Sequence, residues 1–224
     1  MTMDIAQNIK SIKKNLPEKV LLVAVSKTKP IEDILEAYNS GHKIFGENKI
    51  QDLVEKYENL PKDIEWHFIG HPQTNKVKYI APFVHLIHGI DSLKLVKVID
   101  KEAKRNNRQI ACLLQFHIAE EDTKFGMTIV EAREILDSKE FKTFENIIIA
   151  GVMGMATYTD NVGQIRNEFK TLKAIFNTLK IEYFSATENF SQISMGMSDD
   201  YRIAIEEGST MIRVGSKIFG ERNY

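Results

Sequence analysis

The chain has 224 residues, of which 43% are hydrophobic and 27% are charged. This composition is sufficient for one large α/β domain or two small ones. With 30 basic and 31 acidic residues, the charge gives no reason to expect a nucleic-acid or membrane partner. The N-terminal segment lacks the apolar region of a signal peptide, and no stretch approaches the roughly 20 apolar residues of a membrane span. Together with a single cysteine, Cys112, these features predict a cytoplasmic protein.

Strand and helix patterns alternate along the chain. A helix is predicted from about Met3 to Asn15, and Pro17 ends it. The predicted strands are 20–25, 43–45, 64–69, 84–90, 110–118, 147–153, 193–195 and 211–214. Helical patterns follow them near 30–40, 49–60, 75–80, 92–106, 128–137, 162–179, 199–207 and 217–220. Eight such units predict a single (β/α)8 TIM barrel over residues 1–224 with an extra N-terminal helix, and a doubly wound open sheet is the alternative.

Lys27 follows the first predicted strand, in the segment VLLVAVSKTKP. The run from Val20 to Val25 is short and apolar, which is typical of a strand buried on both faces. A lysine at the carboxyl end of such a strand lies where α/β proteins bind ligands, and burial there favours the neutral amine. A neutral amine can form a Schiff base with an aldehyde cofactor. A surface lysine in an ordinary loop is the alternative.

Two glycine–serine loops follow the seventh and eighth predicted strands. The first contains Gly196 and Ser198, and the second contains Gly215 and Ser216. Glycine lets the backbone approach a ligand closely, serine supplies a donor, and a helix N-terminus suits a phosphate. Barrel enzymes often bind phosphate after strands seven and eight, so the two loops together predict a phosphate site. Ordinary helix caps at the two serines are the alternative.

Arg213 interrupts the otherwise apolar eighth strand, MIRVG. If its side chain points into the barrel, the buried charge needs a partner, and a cofactor pyridine nitrogen would be one. Because arginine keeps its proton, that pyridine would stay unprotonated and would be a weaker electron sink. A salt bridge to a buried carboxylate is the alternative.

The histidines are less informative. His67, which follows Trp66, is more typical of a satisfied core residue than of a catalyst. His85 and His88 lie on one predicted strand and His117 lies on another, with few carboxylates nearby, and they do not predict a metal site.

Several segments together resemble one known family. They are VAVSKTKP around Lys27, FGENKIQDL from Phe45, WHFIGHPQTNK from Trp66, FGM from Phe125, GVMGMA from Gly151, and SMGMSDDYRIAIEEGSTMIRVGSKIFGER from Ser194. They run across nearly the whole chain in the family's order, and the last segment is long and specific. The chain thus resembles the pyridoxal phosphate homeostasis proteins, small proteins related to the N-terminal barrel of alanine racemase.

The resemblance implies a barrel of pyridoxal 5′-phosphate (PLP) fold type III. Lys27 then corresponds to the Schiff-base lysine, and Arg213 corresponds to the arginine that faces the pyridine nitrogen. Asn48 and His67 fall near the other edge of the cofactor. The residues that fall where the family binds phosphate are Ser194, Met195, Gly196, Gly215 and Ser216.

The resemblance also implies a function. Members of the family bind PLP and affect the balance of B6 vitamers without established turnover, so we expect a role in intracellular PLP homeostasis. A weak amino-acid racemase is the alternative, because Lys27 could serve one face of a substrate. The second face would lack the tyrosine-bearing domain of alanine racemase, since the sequence stops at Tyr224. Transfer of PLP to apo-enzymes by direct contact stays open, and a monomer or a weak dimer is expected.

The chain departs from the family pattern at three sites. Pro72 stands where leucine is usual, His117 stands where asparagine is usual, and Thr157-Tyr158 replaces an exit that contains proline. We expect Pro72 to stiffen a loop. The other two changes are expected to alter the mouth of the cofactor pocket.

Overall fold

Eight parallel strands close into a barrel in the computed structural model, which describes residues 4–121 and 125–221. Each strand pairs with the next in sequence order, and β8 pairs with β1 in the register Val23–Arg213. The strands are β1 Leu21–Val25, β2 Ile44–Glu47, β3 Glu65–Phe68, β4 Leu86–Ile90, β5 Ile110–Phe116, β6 Ile147–Gly154, β7 Gln192–Ser194 and β8 Met211–Val214. The TIM barrel prediction is confirmed, and the open sheet is wrong because the two terminal strands pair.

A helix follows every strand, and one further helix precedes β1. The helices are α1 Ile5–Lys14, α2 Ile31–Asn39, α3 Ile50–Asn59, α4 Val77–Ile80, α5 Leu93–Arg105, α6 Ile129–Asp137, α7 Val162–Glu182, α8 Tyr201–Glu206 and α9 Ser216–Phe219. None of them combines the length and the apolar character that crossing a bilayer requires. Met3, Arg222 and Tyr224 lie outside the described residues, and the assignment of residues 1–224 to one domain stays a prediction.

Several boundaries differ from the expected ones, and two of them lie near the cavity end of the barrel or its loops. The helix near 75–80 is split into a 3₁₀ turn, Thr74–Lys76, and the short helix α4. Helix α8 begins at Tyr201 rather than at 199, because the Asp200 carboxylate accepts a 2.5 Å hydrogen bond from the Met197 amide and holds that segment as a turn.

The core has two layers, as the barrel architecture requires. Apolar side chains on the outer face of the strands pack under the helices, with Trp66, Phe45 and Phe68 among the largest that are fully buried. A smaller cluster fills the barrel interior and consists of Val23, Leu86, Leu113, Ala150, Met153 and Met211. Polar groups share the buried strand positions with this cluster, and they define the site described below.

The ends of β2, β3 and β4 approach one another backbone to backbone. A Cβ atom on Gly70 would lie 2.3 Å from the carbonyl oxygen of Asn48, and one on Gly89 would lie 2.5 Å from the carbonyl oxygen of Gly70. Real Cβ atoms essentially never come so close. Glycine is therefore required at both positions for this side of the barrel to close.

Candidate functional site

A cavity of about 490 Å³ opens at the carboxyl ends of the strands. Five of the nine cofactor residues predicted from the sequence line it: Lys27, Asn48, Arg213, Gly215 and Ser216. Its volume falls within the roughly 300–1,000 Å³ that is typical of small-molecule sites. The location is also the one at which barrels of this architecture carry out their chemistry.

Lys27 is presented by a strained turn after β1. Its side chain is half-buried, and the next residue, Thr28, has a φ of +65°. A β-branched residue rarely adopts that conformation, which costs on the order of 1–3 kcal/mol. Lys29 offsets part of this cost, because its Nζ donates to the carbonyl oxygens of Phe219 at 2.7 Å and Glu221 at 2.8 Å. The turn is thereby tied to the segment that follows α9.

A buried ion pair holds the residue that precedes Lys27. The Glu47 carboxylate accepts hydrogen bonds from Ser26 Oγ at 2.5 Å and from Lys56 Nζ at 2.8 Å, and Lys56 also donates to the Ser26 carbonyl at 2.8 Å. Burial raises the pKa of the Glu47 carboxyl, while the Lys56 charge opposes that rise. The sequence analysis assigned no role to Glu47 or Lys56, which together fix the end of β1.

Arg213 is a buried cation that faces the cavity. Only 4% of the residue is exposed, and its guanidinium donates to Ser194 Oγ at 2.6 Å and to the Gly154 carbonyl at 3.2 Å. No carboxylate of the described residues forms an ion pair with it, so these residues give the salt-bridge alternative no support. Burial lowers the pKa of Arg213 to about 10, against the opposing charge of Asp200. Among residues 4–121 and 125–221, the guanidinium therefore has neutral hydrogen-bond acceptors but no paired anion.

Two buried histidines continue the hydrogen bonding from Arg213 across the barrel. Ser194 Oγ lies 3.1 Å from Nδ1 of His88, and Nε2 of His88 lies 3.1 Å from Nδ1 of His67. Burial lowers the pKa of His67 to about 3 and the pKa of His88 well below its usual value. Both imidazoles are therefore neutral at physiological pH. Each carries one proton, and its hydrogen bonds determine which ring nitrogen holds that proton.

Four predicted cofactor residues do not line the cavity: His67, Ser194, Met195 and Gly196. Ser194 is fully buried with its hydroxyl bonded as described above, and the Met195 amide donates to the Met211 carbonyl at 3.1 Å. Gly196 is explained by packing, because its φ is +96° and an added Cβ would lie 2.6 Å from that of Ala204. Contact of these residues with a cofactor stays a prediction.

Ser198 takes the lining position instead, next to Gly215 and Ser216. Its hydroxyl accepts a 3.3 Å hydrogen bond from the Gly215 amide, which joins the two glycine–serine loops. The sequence analysis placed this serine in a loop of the predicted phosphate site, with a helix cap as the alternative. Asp200 instead precedes α8, and its side chain makes no capping bond to that helix.

The departures from the family pattern have different structural consequences. Tyr158 lines the cavity with 86% of its surface exposed, as expected for a residue at the mouth. His117 is not a lining residue, and its Nε2 is buried without a hydrogen-bond partner among the described residues. Pro72 is buried and borders a separate surface cavity of about 470 Å³.

The chain matches the family described as alanine racemase, N-terminal domain, over residues 2–223. It is 41% identical over 206 residues to a pyridoxal phosphate homeostasis protein of Aquifex aeolicus, which covers 91% of this chain and 87% of that one. A protein of the same description from Pasteurella multocida is 36% identical over 238 residues, with 99% of each chain covered. The chain belongs to the pyridoxal phosphate homeostasis protein family.

A solved structure supports the same relationship. PipY of Synechococcus elongatus PCC7942, determined with PLP bound, superposes with a TM-score of 0.86 at 30% identity, covering 96% of this family member and 100% of PipY. The prediction of the family from the sequence motifs is thereby confirmed.

Proposed function

We propose that this protein binds PLP in the cavity at the carboxyl ends of the strands and serves in PLP homeostasis. One observation carries the proposal: the Arg213 guanidinium is buried beside the cavity and has no anionic partner among the described residues. A ligand with a hydrogen-bond acceptor in its ring and an anionic substituent would supply partners for the guanidinium and for the hydroxyl and amide donors that line the cavity. PLP has both features, and PipY, a relative at 30% identity, was determined with PLP bound.

Each lining residue would meet a different part of the cofactor. Lys27 would hold the aldehyde carbon covalently, and Arg213 would donate to the pyridine nitrogen. Ser198, Gly215 and Ser216 would bind the phosphate through hydroxyl and amide donors. PLP supplies an electron sink when it is bound, and a guanidinium that keeps its proton would weaken that property. This arrangement favours storage or delivery of the cofactor over turnover.

The absorption spectrum of the isolated protein tests the attachment. We expect a visible band that disappears in Lys27→Ala and persists in the matched control Lys49→Ala, an exposed lysine at the start of α3. Borohydride reduction followed by peptide mapping should place the cofactor mass on Lys27. Loss of the band in both variants, or a mass on another lysine, would contradict the proposal, and equal unfolding midpoints would show that the fold is retained.

A weak racemase is the second candidate, and the position of Tyr158 favours it. Tyr158 and Lys27 line the same cavity, and racemisation needs a proton acceptor and a donor on opposite faces of the substrate. Exchange of the α-proton of L-alanine with deuterium from solvent measures this activity. A rate above that of free PLP, lost in Tyr158→Phe, would support the racemase. A rate equal to that of free PLP would exclude the racemase and leave PLP binding as the only one of the two proposed functions.

Delivery of PLP to apo-enzymes in the cytoplasm is part of the proposed homeostatic role. The cavity mouth carries two exposed aromatic side chains, Phe125 and Tyr158. We expect the loaded protein to reactivate an apo-PLP enzyme in the presence of a scavenger of free PLP. Reactivation no faster than with free PLP plus scavenger would contradict direct transfer, and sedimentation of the loaded protein would test whether it is a monomer or a weak dimer.

A further inference from the structure

Three potential metal ligands meet at the end of the barrel opposite the cavity. Glu65 is the first residue of β3, His67 is the third, and His85 directly precedes β4. One ligand atom from each side chain lies within 4.8 Å of the other two, and His85 Nε2 is 3.7 Å from Glu65 Oε2. Residues 65 and 67 point to the same side of the sheet, because side chains of a strand alternate.

His67 is positioned as a metal-binding histidine usually is. Only 2% of the residue is exposed, and its Nδ1 is bonded to Nε2 of His88. Its Nε2 makes no hydrogen bond to any residue within 4–121 or 125–221. Ligating histidines commonly have one ring nitrogen fixed by a hydrogen bond and the other on the metal. A nearly fully buried imidazole, with one ring nitrogen fixed by His88 and the other making no hydrogen bond among the described residues, therefore points to a ligand.

The other two side chains can adjust to an ion. The side chains of His85 and Glu65 are 57% and 46% exposed, and the rings of His85 and His67 are nearly parallel, with centroids 5.7 Å apart. Lys43 approaches Glu65, but its ammonium is already paired with Asp63 at 2.5 Å. Two imidazoles and one carboxylate, with room for water, form the ligand set of open zinc sites.

We propose that Glu65, His67 and His85 bind one divalent transition-metal ion of the Zn²⁺ type at the amino-terminal end of the barrel. The sequence analysis did not anticipate this site because it considered His85 together with His88 and His117. In the structure, strand register brings His85 beside His67 instead. Glu65 lies next to both and supplies a carboxylate, which the sequence analysis had not considered with these histidines. None of the three residues lines the cavity, so the site does not depend on the proposed PLP function, although the sequence analysis placed His67 near the cofactor.

Metal binding would also alter the hydrogen bonds that connect His67, through His88 and Ser194, to Arg213. Arginine can only donate, so Ser194 Oγ accepts from it. The Ser194 hydroxyl can then donate to His88 Nδ1, which leaves the protons of His88 and His67 on Nε2. A metal on His67 Nε2 requires the reverse order, with the proton of each imidazole on Nδ1. Both rings stay neutral and there is no net release of a proton. Binding of the metal ion therefore changes only the tautomers of His67 and His88.

Zinc titration of the isolated protein by calorimetry tests the site, with Co²⁺ absorption as a second probe of coordination. We expect one equivalent of Zn²⁺ to bind. His85→Ala and Glu65→Gln should each weaken binding by about tenfold or more, since even loss of an outer partner costs about 10–100-fold in metal sites. Both side chains are partly exposed, so the variants should fold, and equal urea midpoints would check this.

His71→Ala is the matched control. His71 forms another histidine–carboxylate contact, with its Nδ1 3.2 Å from Asp91 Oδ2, and the part of the chain that the structure describes brings no third ligand to that pair. Unchanged zinc affinity in this control supports the proposal. No binding by the unmodified protein, unchanged affinity in His85→Ala or Glu65→Gln, or an equal loss in His71→Ala would overturn it.

Imidazole nitrogen resonances test the tautomer change separately. Addition of Zn²⁺ should shift the signals of His67 and also those of His88, which is not a ligand. Signals of His88 that do not move would overturn the change of tautomer.

Discussion

Ser194 Oγ lies 2.6 Å from Nη1 of Arg213 and 3.1 Å from Nδ1 of His88. A neutral hydroxyl therefore accepts a hydrogen bond from a buried cation. The same guanidinium also lines the cavity. This contact gives Ser194 a role in positioning the arginine, and its contact with a phosphate stays a prediction.

Ser194→Ala should destabilise the protein by about 1.5–3 kcal/mol, because it removes a hydrogen bond to a buried charged group. Urea unfolding would measure the change. The exposed Ser191 supplies the control, and Ser191→Ala should alter the free energy of unfolding by less than about 0.5 kcal/mol. Equal effects of the two changes would mean that the Arg213 contact contributes nothing.

Lys56→Met should destabilise the protein by about 3–5 kcal/mol at neutral pH, because it leaves the Glu47 carboxylate buried without its cation. The pKa of Glu47 is already raised by burial, so protonation favours the folded state as the pH falls toward the ordinary carboxyl value. We therefore expect the deficit to shrink as the pH is lowered from 7 to 5. A deficit that is constant with pH would contradict this account, and the exposed Lys49→Met is the control.

His42 should make the protein less stable in mild acid. Burial is the main cause that lowers its pKa to about 4, with a further contribution from Lys13, whereas the unfolded chain takes up a proton near pH 6.5. The unfolded state thus binds more protons between these values, and stability falls by about 1.4 kcal/mol per pH unit as the pH drops through that window. His42→Gln should reduce the slope of unfolding free energy against pH by that amount, and an unchanged slope would exclude His42 as the cause.

Two glycine substitutions should have opposite effects. Gly151→Ala should destabilise the protein by about 2–6 kcal/mol, because the φ of Gly151 is +153° and the added Cβ would lie 1.8 Å from the Gln192 carbonyl oxygen. Gly163→Ala, in α7, should stabilise it by about 0.4–1 kcal/mol, since the nearest atom to its Cβ would be Asn161 Oδ1 at 3.4 Å. Thermal unfolding of both variants would measure these changes, and equal shifts would contradict the packing argument.

The barrel and several lining residues could be predicted because each depends on local pattern and strand order. Lys27, Gly215 and Ser216 follow buried strands directly, so the rule that loops after parallel strands share one end brings them together. The interior contacts could not be predicted. Whether Ser194 faces phosphate or Arg213, and whether His85 meets His67 or His117, depends on register between strands. Periodicity alone does not define that register.

The crowded glycines on one side of the cavity limit how this site can evolve or be engineered. A side chain at Gly70 or Gly89 would collide with backbone atoms. These two positions therefore do not tolerate substitution. New specificity is better sought at Tyr158 and Phe125, two lining residues whose side chains are exposed to solvent. A library built to accept a bulkier guest should therefore randomise those two aromatic positions and leave the glycines fixed.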